Sequence, residues 1–127
     1  MTKATLATHL RTVDQHAVEP MPWGRLEWSV SAKLGNSETM TIGTCFLDPG
    51  AQNGRHFHPN CDEVLRVLKG RIIQTWDGVE HEMNVGDVVS IPAGVVHNAR
   101  NIGDGPAELA ISFSSAYRET VDMEGAH

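Results

Sequence analysis

Short apolar runs, each cut off by a turn built on glycine or proline, leave this chain little to fold into but β-strands. Runs at 26–30 and 39–47 are separated by Gly35-Asn36, and runs at 71–76 and 79–83 flank Asp77-Gly78. Asp-Gly between two apolar runs is a strong hairpin signal, because a tight turn of the right twist needs positive φ at both central residues. Further strands are expected at 63–68, 88–91, 95–101 and 107–114, with turns at Pro92-Ala93-Gly94 and Gly103-Asp104-Gly105-Pro106. Gly94 can supply the unusual φ of its turn. Many short strands at this spacing predict an all-β barrel or sandwich. Pro20-Met21-Pro22-Trp23 is expected to break regular structure. Residues 1–20 read as a polar arm or short strand, 21–114 as the barrel, and 115–127 as a polar tail or short helix. No internal repeat is visible, which predicts one barrel rather than two.

Composition sets outer limits on function. A length of 127 residues predicts one domain. Formal net charge is −6 and the Lys and Arg residues are scattered, so no nucleic-acid footprint is expected. No run approaches the ~18 apolar residues of a membrane span, and the first fifteen residues carry no apolar signal core. Cytoplasmic residence is the resulting expectation. Two cysteines, Cys45 and Cys61, are too few for a disulfide framework.

The chemistry concentrates in 50–63. His56 and His58 are two apart, so on an extended chain their side chains share a face, roughly 7 Å apart at Cα from ~3.3 Å per residue. Phe57 points to the other face. Glu63 follows a turn at Pro59-Asn60-Cys61-Asp62 and can add an oxygen from the returning strand. Imidazole suits Zn, Cu, Fe and Ni, and carboxylate suits harder ions such as Mn, so the mixture reads as a transition-metal site rather than a calcium site. Downstream, the Pro92-Ala93-Gly94 turn returns as a segment carrying one more imidazole, His97.

Two motifs now stand out. The first is Gly50, five residues, His56-x-His58, four residues, Glu63, six residues, Gly70; the second is Gly86, five residues, Pro92-x-Gly94, two residues, His97, three residues, Asn101. In both, the chain resembles the cupin family, with every spacing kept over 50–101. The resemblance implies a single antiparallel, jelly-roll-like β-barrel. It also implies one divalent transition metal per chain (Fe, Mn, Ni or Zn), held by His56, His58, Glu63 and His97, with one or more positions left open to water or substrate.

Strand alternation nominates neighbours. From Glu63 the same face carries Leu65 and Val67; from His97 it carries Ala99 and Asn101. These either line the site or serve as plain core. Gln74 and Trp76 share a face with Ile72 and are candidate substrate contacts, together with Leu65 and Val67. Cys45 reads as buried packing, Cys61 as a turn residue facing away from the metal, and Arg66 as outward-facing. His9, His16, His81 and His127 read as structural or solvated.

Three neutral imidazoles and one carboxylate leave a bound divalent metal net positive, suited to an anionic substrate oxygen. No second acid–base group is evident. The resemblance spans dioxygenases, oxalate-degrading enzymes, lyases and isomerases. The expectation is a metal-dependent enzyme acting on a small oxygen-rich or carboxylate substrate, leaning to dioxygenase chemistry. The alternatives are a non-redox lyase, decarboxylase or isomerase, and a small-molecule binding module without turnover. A homodimer is expected, because a small barrel leaves sheet edges that need cover and residues 1–20 can extend a partner's sheet.

Overall fold

The computed structural model of the protein describes residues 4–123. Its strands, in chain order, are β1 (Ala17–Met21), β2 (Gly24–Val30), β3 (Thr41–Leu47), β4 (His56–Phe57), β5 (Glu63–Lys69), β6 (Ile72–Trp76), β7 (Val79–Met83), β8 (Val88–Ile91), β9 (Ala99–Asn101), β10 (Ala107–Phe113) and β11 (Val121–Asp122). A single α-helical turn, Leu6–His9, precedes them, capped by Thr5. No helix among the described residues is long and apolar enough to cross a membrane.

Every strand pairing is antiparallel. One layer is a six-stranded sheet in the order β1-β2-β3-β10-β5-β8. The other joins a three-stranded piece, β7-β6-β9, to the β11-β4 pair through isolated bridges at Gln52–Arg100 and His56–His97. The two layers close on one core: Leu47, Val67 and Leu109 of the first sheet cluster with Ile72, Met83 and Ala99 of the second. This is the jelly-roll architecture that the turn spacing and the two motifs predict.

The inner strands show why the sheet faces as it does. β3 and β10 bury every second residue, and β5 buries Glu63, Leu65 and Val67 while exposing Val64, Arg66 and Leu68. Side chains alternate along a strand, so a half-buried sheet requires that period of two. Across the pair, Leu65 faces Ile111 and Val67 faces Leu109, which stacks apolar side chains on the core face. Glu63 occupies the same face because it starts the same alternation. The core strand thereby delivers a carboxylate inward.

Three segments differ from the sequence expectation. Pro20 does not break regular structure; it lies inside β1, opposite Arg25. β1 is the edge of its sheet, where a residue without an N–H can be accommodated. Residues 95–98 are not regular strand, although His97 and Asn98 still bond to neighbouring chain segments. The end of the chain is neither a helix nor a free tail over its described part: Val121 and Asp122 pair with Phe57 and His56. The Asp77-Gly78 hairpin holds as expected, with φ of 48° and 85° at the two residues.

Asn101, the last residue of the second motif, faces a structural task rather than the site. It is 1% exposed. Its amide donates to the carbonyls of Leu47 and Gly105, both at 2.9 Å, and accepts from the Gly103 N–H at 2.9 Å. One side chain thus closes the 103–105 turn onto the end of β3. Asn101→Ala leaves those three backbone groups without their partner, and an unsatisfied buried group costs ~1–3 kcal/mol. We expect a loss of about 3 kcal/mol in urea unfolding; a loss well under 1 kcal/mol would show that water takes over the amide's role.

Candidate metal centre

The site forms where the two layers meet. The backbones of His56 and His97 bond reciprocally, N to O at 3.0 and 2.9 Å, so two segments distant in sequence lie side by side. The Gly94 N–H also reaches the His58 carbonyl at 3.0 Å, with Gly94 in the positive-φ conformation that its turn requires. His56, His58, Glu63 and His97 then converge, their ligand atoms all within 4.8 Å of one another. His58, Glu63 and His97 are buried, and His56 is half-buried against the cavity.

Each imidazole is fixed by a backbone carbonyl. His56 Nδ1 lies 2.7 Å from the Gly54 oxygen, His97 Nδ1 2.9 Å from that of Val95, and His58 Nδ1 2.8 Å from that of Glu119. A carbonyl only accepts, so each Nδ1 carries the hydrogen and donates it. In the neutral ring that leaves Nε2 as a bare lone pair. All three rings are therefore set in the tautomer and orientation that a metal-binding imidazole needs.

The electrostatics of the cluster point the same way. Glu63 Oε1 lies 2.9 Å from His97 Nε2 and 3.2 Å from His58 Nε2. His58 Nε2 is nevertheless buried without a hydrogen-bond partner. Lone pairs facing a carboxylate out of water call for a proton or a metal ion between them; a proton on His97 Nε2 can bond Glu63 at 2.9 Å, while His58 Nε2 stays without a partner. Burial would raise the Glu63 pKa, but the His58 and His97 imidazoles outweigh it and hold the carboxyl down at about 2. Burial would likewise lower that of His97, but Glu63 outweighs it and raises it. Burial, reinforced by His97, pushes His56 down to about 4. The residues fit a divalent transition metal: three oriented neutral nitrogens, one anionic oxygen and a buried orphan lone pair.

The cluster opens into a cavity of about 250 Å³. Trp23, Leu26, Trp28, Ile111 and Phe113 give it apolar walls. Of the sequence candidates for substrate contact, Gln74 and Leu65 line it. Val67 does not; it is fully buried in the core opposite Leu109. Trp76 is outside the lining too, because it ends β6 at the Asp77-Gly78 turn and is 37% exposed. Ala99 lines the cavity and packs in the core at once. Cys45 also lines it, but burial and then the Glu63 charge push its thiol up to about 12, so it is no thiolate nucleophile. Cys61 is not among the clustered ligand residues, as expected, and it packs in the buried core. Arg66, His9 and His81 are exposed; His16 is partly buried at 3.6 Å from Glu27, and His127 lies outside the described residues.

Sequence reasoning missed the segment after β10. Asn60 ties it down, donating to the Tyr117 carbonyl at 2.9 Å and accepting from the Glu119 N–H at 3.0 Å. Glu119 then orients His58, and Thr120 lies 3.2 Å from the same Nδ1. Arg118 reaches the cavity wall. No periodicity or motif in 115–123 signals this, since the contacts are to backbone atoms and to residues far along the chain.

Comparison with known proteins agrees with the two motifs. The sequence model of the cupin domain matches residues 43–113. A probable germin-like protein, subfamily 2 member 5, of Arabidopsis thaliana is 31% identical over 90 residues, covering 65% of this chain and 42% of the relative. The polyketide synthase CurC of Streptomyces cyaneus is 26% identical over 106 residues, covering 82% of this chain and 69% of the relative. Among solved structures, a mutant of Bacillus subtilis oxalate decarboxylase superposes with a TM-score of 0.79 at 22% identity, over 87% of this chain and 31% of that one. At that identity the likeness is one of fold. The chain thus spans less than half the length of the germin-like relative and about a third of the decarboxylase.

Replacing His56 or His97 with Ala removes one of four donors. Metal per chain after dialysis is expected to fall several-fold, and the metal-dependent rise in Tm to be lost, since binding to the folded state adds to stability. Unchanged metal content in both variants would remove the four-ligand arrangement.

Acid is expected to weaken the loaded site, because protons compete for the imidazoles. In the metal-free protein the raised pKa of His97 has the opposite sign. Its stabilisation is full below the unfolded value of about 6.5 and is lost as pH rises through the folded pKa. The gap in Tm between loaded and metal-free protein is therefore expected to shrink from about pH 7.5 down to about pH 5. A constant gap would show that the imidazoles are not ligands.

Proposed function

The chain belongs to the cupin family, and on that footing we propose that it is a metal-dependent enzyme acting on a small oxygen-rich or carboxylate substrate, with dioxygen chemistry as the leading reaction type. One observation carries the reading: three imidazoles locked with Nε2 inward and one buried carboxylate meet at the floor of a small cavity. A purely structural site would close its ligands off; this one leaves His56 half-buried at a cavity wall. When bound, a divalent transition metal supplies Lewis acidity toward a substrate oxygen, and iron or manganese adds redox chemistry with dioxygen.

The rest falls to the chain's own groups. Trp28, Leu26, Ile111 and Phe113 give the cavity one apolar wall, and excluding water along it strengthens the electrostatic interactions made there. Glu63 is held anionic and would offset part of the charge of a bound metal. The volume of about 250 Å³ limits the substrate to a small molecule. Cys45 is held as a neutral thiol and Gln74 does not titrate, so neither moves a proton.

A non-redox decarboxylase or lyase is the second reading. It is favoured by an oxalate decarboxylase structure that is 27% identical and superposes with a TM-score of 0.74 over 83% of this chain. The Mn(II) centres named for the Bacillus subtilis enzyme keep manganese among the candidates. Elemental analysis of protein purified without chelator, followed by oxygen uptake with small carboxylates, separates the two. Near-stoichiometric iron with substrate-dependent oxygen uptake is the expected result. Turnover without oxygen uptake moves the assignment to the decarboxylase or lyase, and no metal on purification or reconstitution ends the enzyme reading.

A further inference from the structure

Among the described residues, Arg118 is the one Lys or Arg that lines the cavity. It lies on the strap of chain that follows β10, partly buried, with its guanidinium carbon 4.4 Å above the Trp28 ring and 5.2 Å from that of Phe113. Phe113 in turn meets the His58 ring edge-on, with centroids 4.9 Å apart. The cation, the aromatic wall and the ligand cluster are thus consecutive layers of one packed unit.

Its donors are mostly idle. A guanidinium carries five N–H groups in a planar fork. Arg118 spends one on the Thr120 hydroxyl at 2.8 Å, and among the described residues it has no ion pair. Among the described residues, two other carboxylates besides Glu63 line the cavity, Glu19 and Asp122, and both are exposed, so solvent screens them. Glu19 is engaged by the Trp28 indole N–H at 3.2 Å. Glu63 belongs to the imidazoles. Arg118 therefore feels the charges of Glu19 and Glu63 without pairing directly with either, and a fork of free N–H groups matches a carboxylate in two-point geometry.

We propose that Arg118 is the anion-binding residue of the cavity, and that the substrate is a small carboxylate whose charged end is held by this guanidinium while the rest lies toward the His/Glu cluster. This rests on the metal-enzyme reading and narrows it: an oxygen-rich but neutral substrate is ruled out. The aromatic pair holds the fork in place before the ligand arrives, so little side-chain freedom is lost on binding. The strap also links the two halves of the site, since Glu119, next in sequence, orients His58.

The test uses the full chain, metal-free and metal-loaded, with propionate and its neutral isostere propionamide as probes. Trp23 and Trp28 in the wall report binding by fluorescence. Metal-free wild type is expected to bind propionate at least tenfold more tightly than propionamide. Arg118→Met keeps the stem against the aromatic rings and removes the fork; it is expected to bring propionate down to the propionamide level. Arg118→Lys keeps the charge without the fork and is expected to fall between. Equal binding of the two probes by wild type, or undiminished propionate binding by Arg118→Met, would overturn the proposal. Metal content separates the two readings. Variants that keep their metal but lose the anion support the assignment of Arg118, whereas a wild type that binds propionate but takes up no metal leaves the anion site standing and defeats the enzyme.

Discussion

The reciprocal backbone pair between His56 and His97 is the constraint on which the site depends. Neither segment is part of a long strand: β4 is two residues and β9 starts only at Ala99. Two hydrogen bonds, at 3.0 and 2.9 Å, join the first motif to the second and complete the smaller layer of the barrel. Without them the His56 and His97 rings, with centroids 4.4 Å apart, would not face a common point. Fold and site here share the same bonds.

Orientation of the rings follows a single physical rule applied three times. A buried imidazole must satisfy its N–H, and here each does so on a backbone carbonyl. Two of those carbonyls, Gly54 and Val95, are two residues from the ring they hold and come with the local turn. The third, Glu119, arrives from the far end of the chain. The terminal segment therefore acts on the centre through His58 while leaving the ligand set unchanged. The cost of the arrangement is a cluster of lone pairs around a carboxylate, which a proton on His97 relieves in part and a shared metal ion would relieve for all three rings.

Much of this was legible in the chain. The period of two in 63–69 placed Glu63 inward with Leu65 and Val67, and Asp77-Gly78 fixed a hairpin, because both depend on the residue and its immediate neighbours. Local rules failed where partners were remote. Pro20 was expected to break structure, but its position at a sheet edge removes the penalty. Trp76 shares the phase of Gln74, yet the strand ends there and the residue is part-exposed outside the cavity lining; alternation gives a face, not a depth. Asn101 shares the phase of His97, but its amide is taken by the Leu47 and Gly105 carbonyls.

The sequence by itself determined the all-β architecture, the four converging ligands and their chemical class. The architecture follows from strand period and turn residues, whereas the set of four donors and their chemical class came from the resemblance of the two motifs to the cupin family. Only the tertiary structure decided which nitrogen of each imidazole is bare, how large the cavity is, and that Arg118, Glu119 and Thr120 belong to the site. Those are set by contacts between distant segments, made to carbonyls and ring faces that no residue pattern encodes.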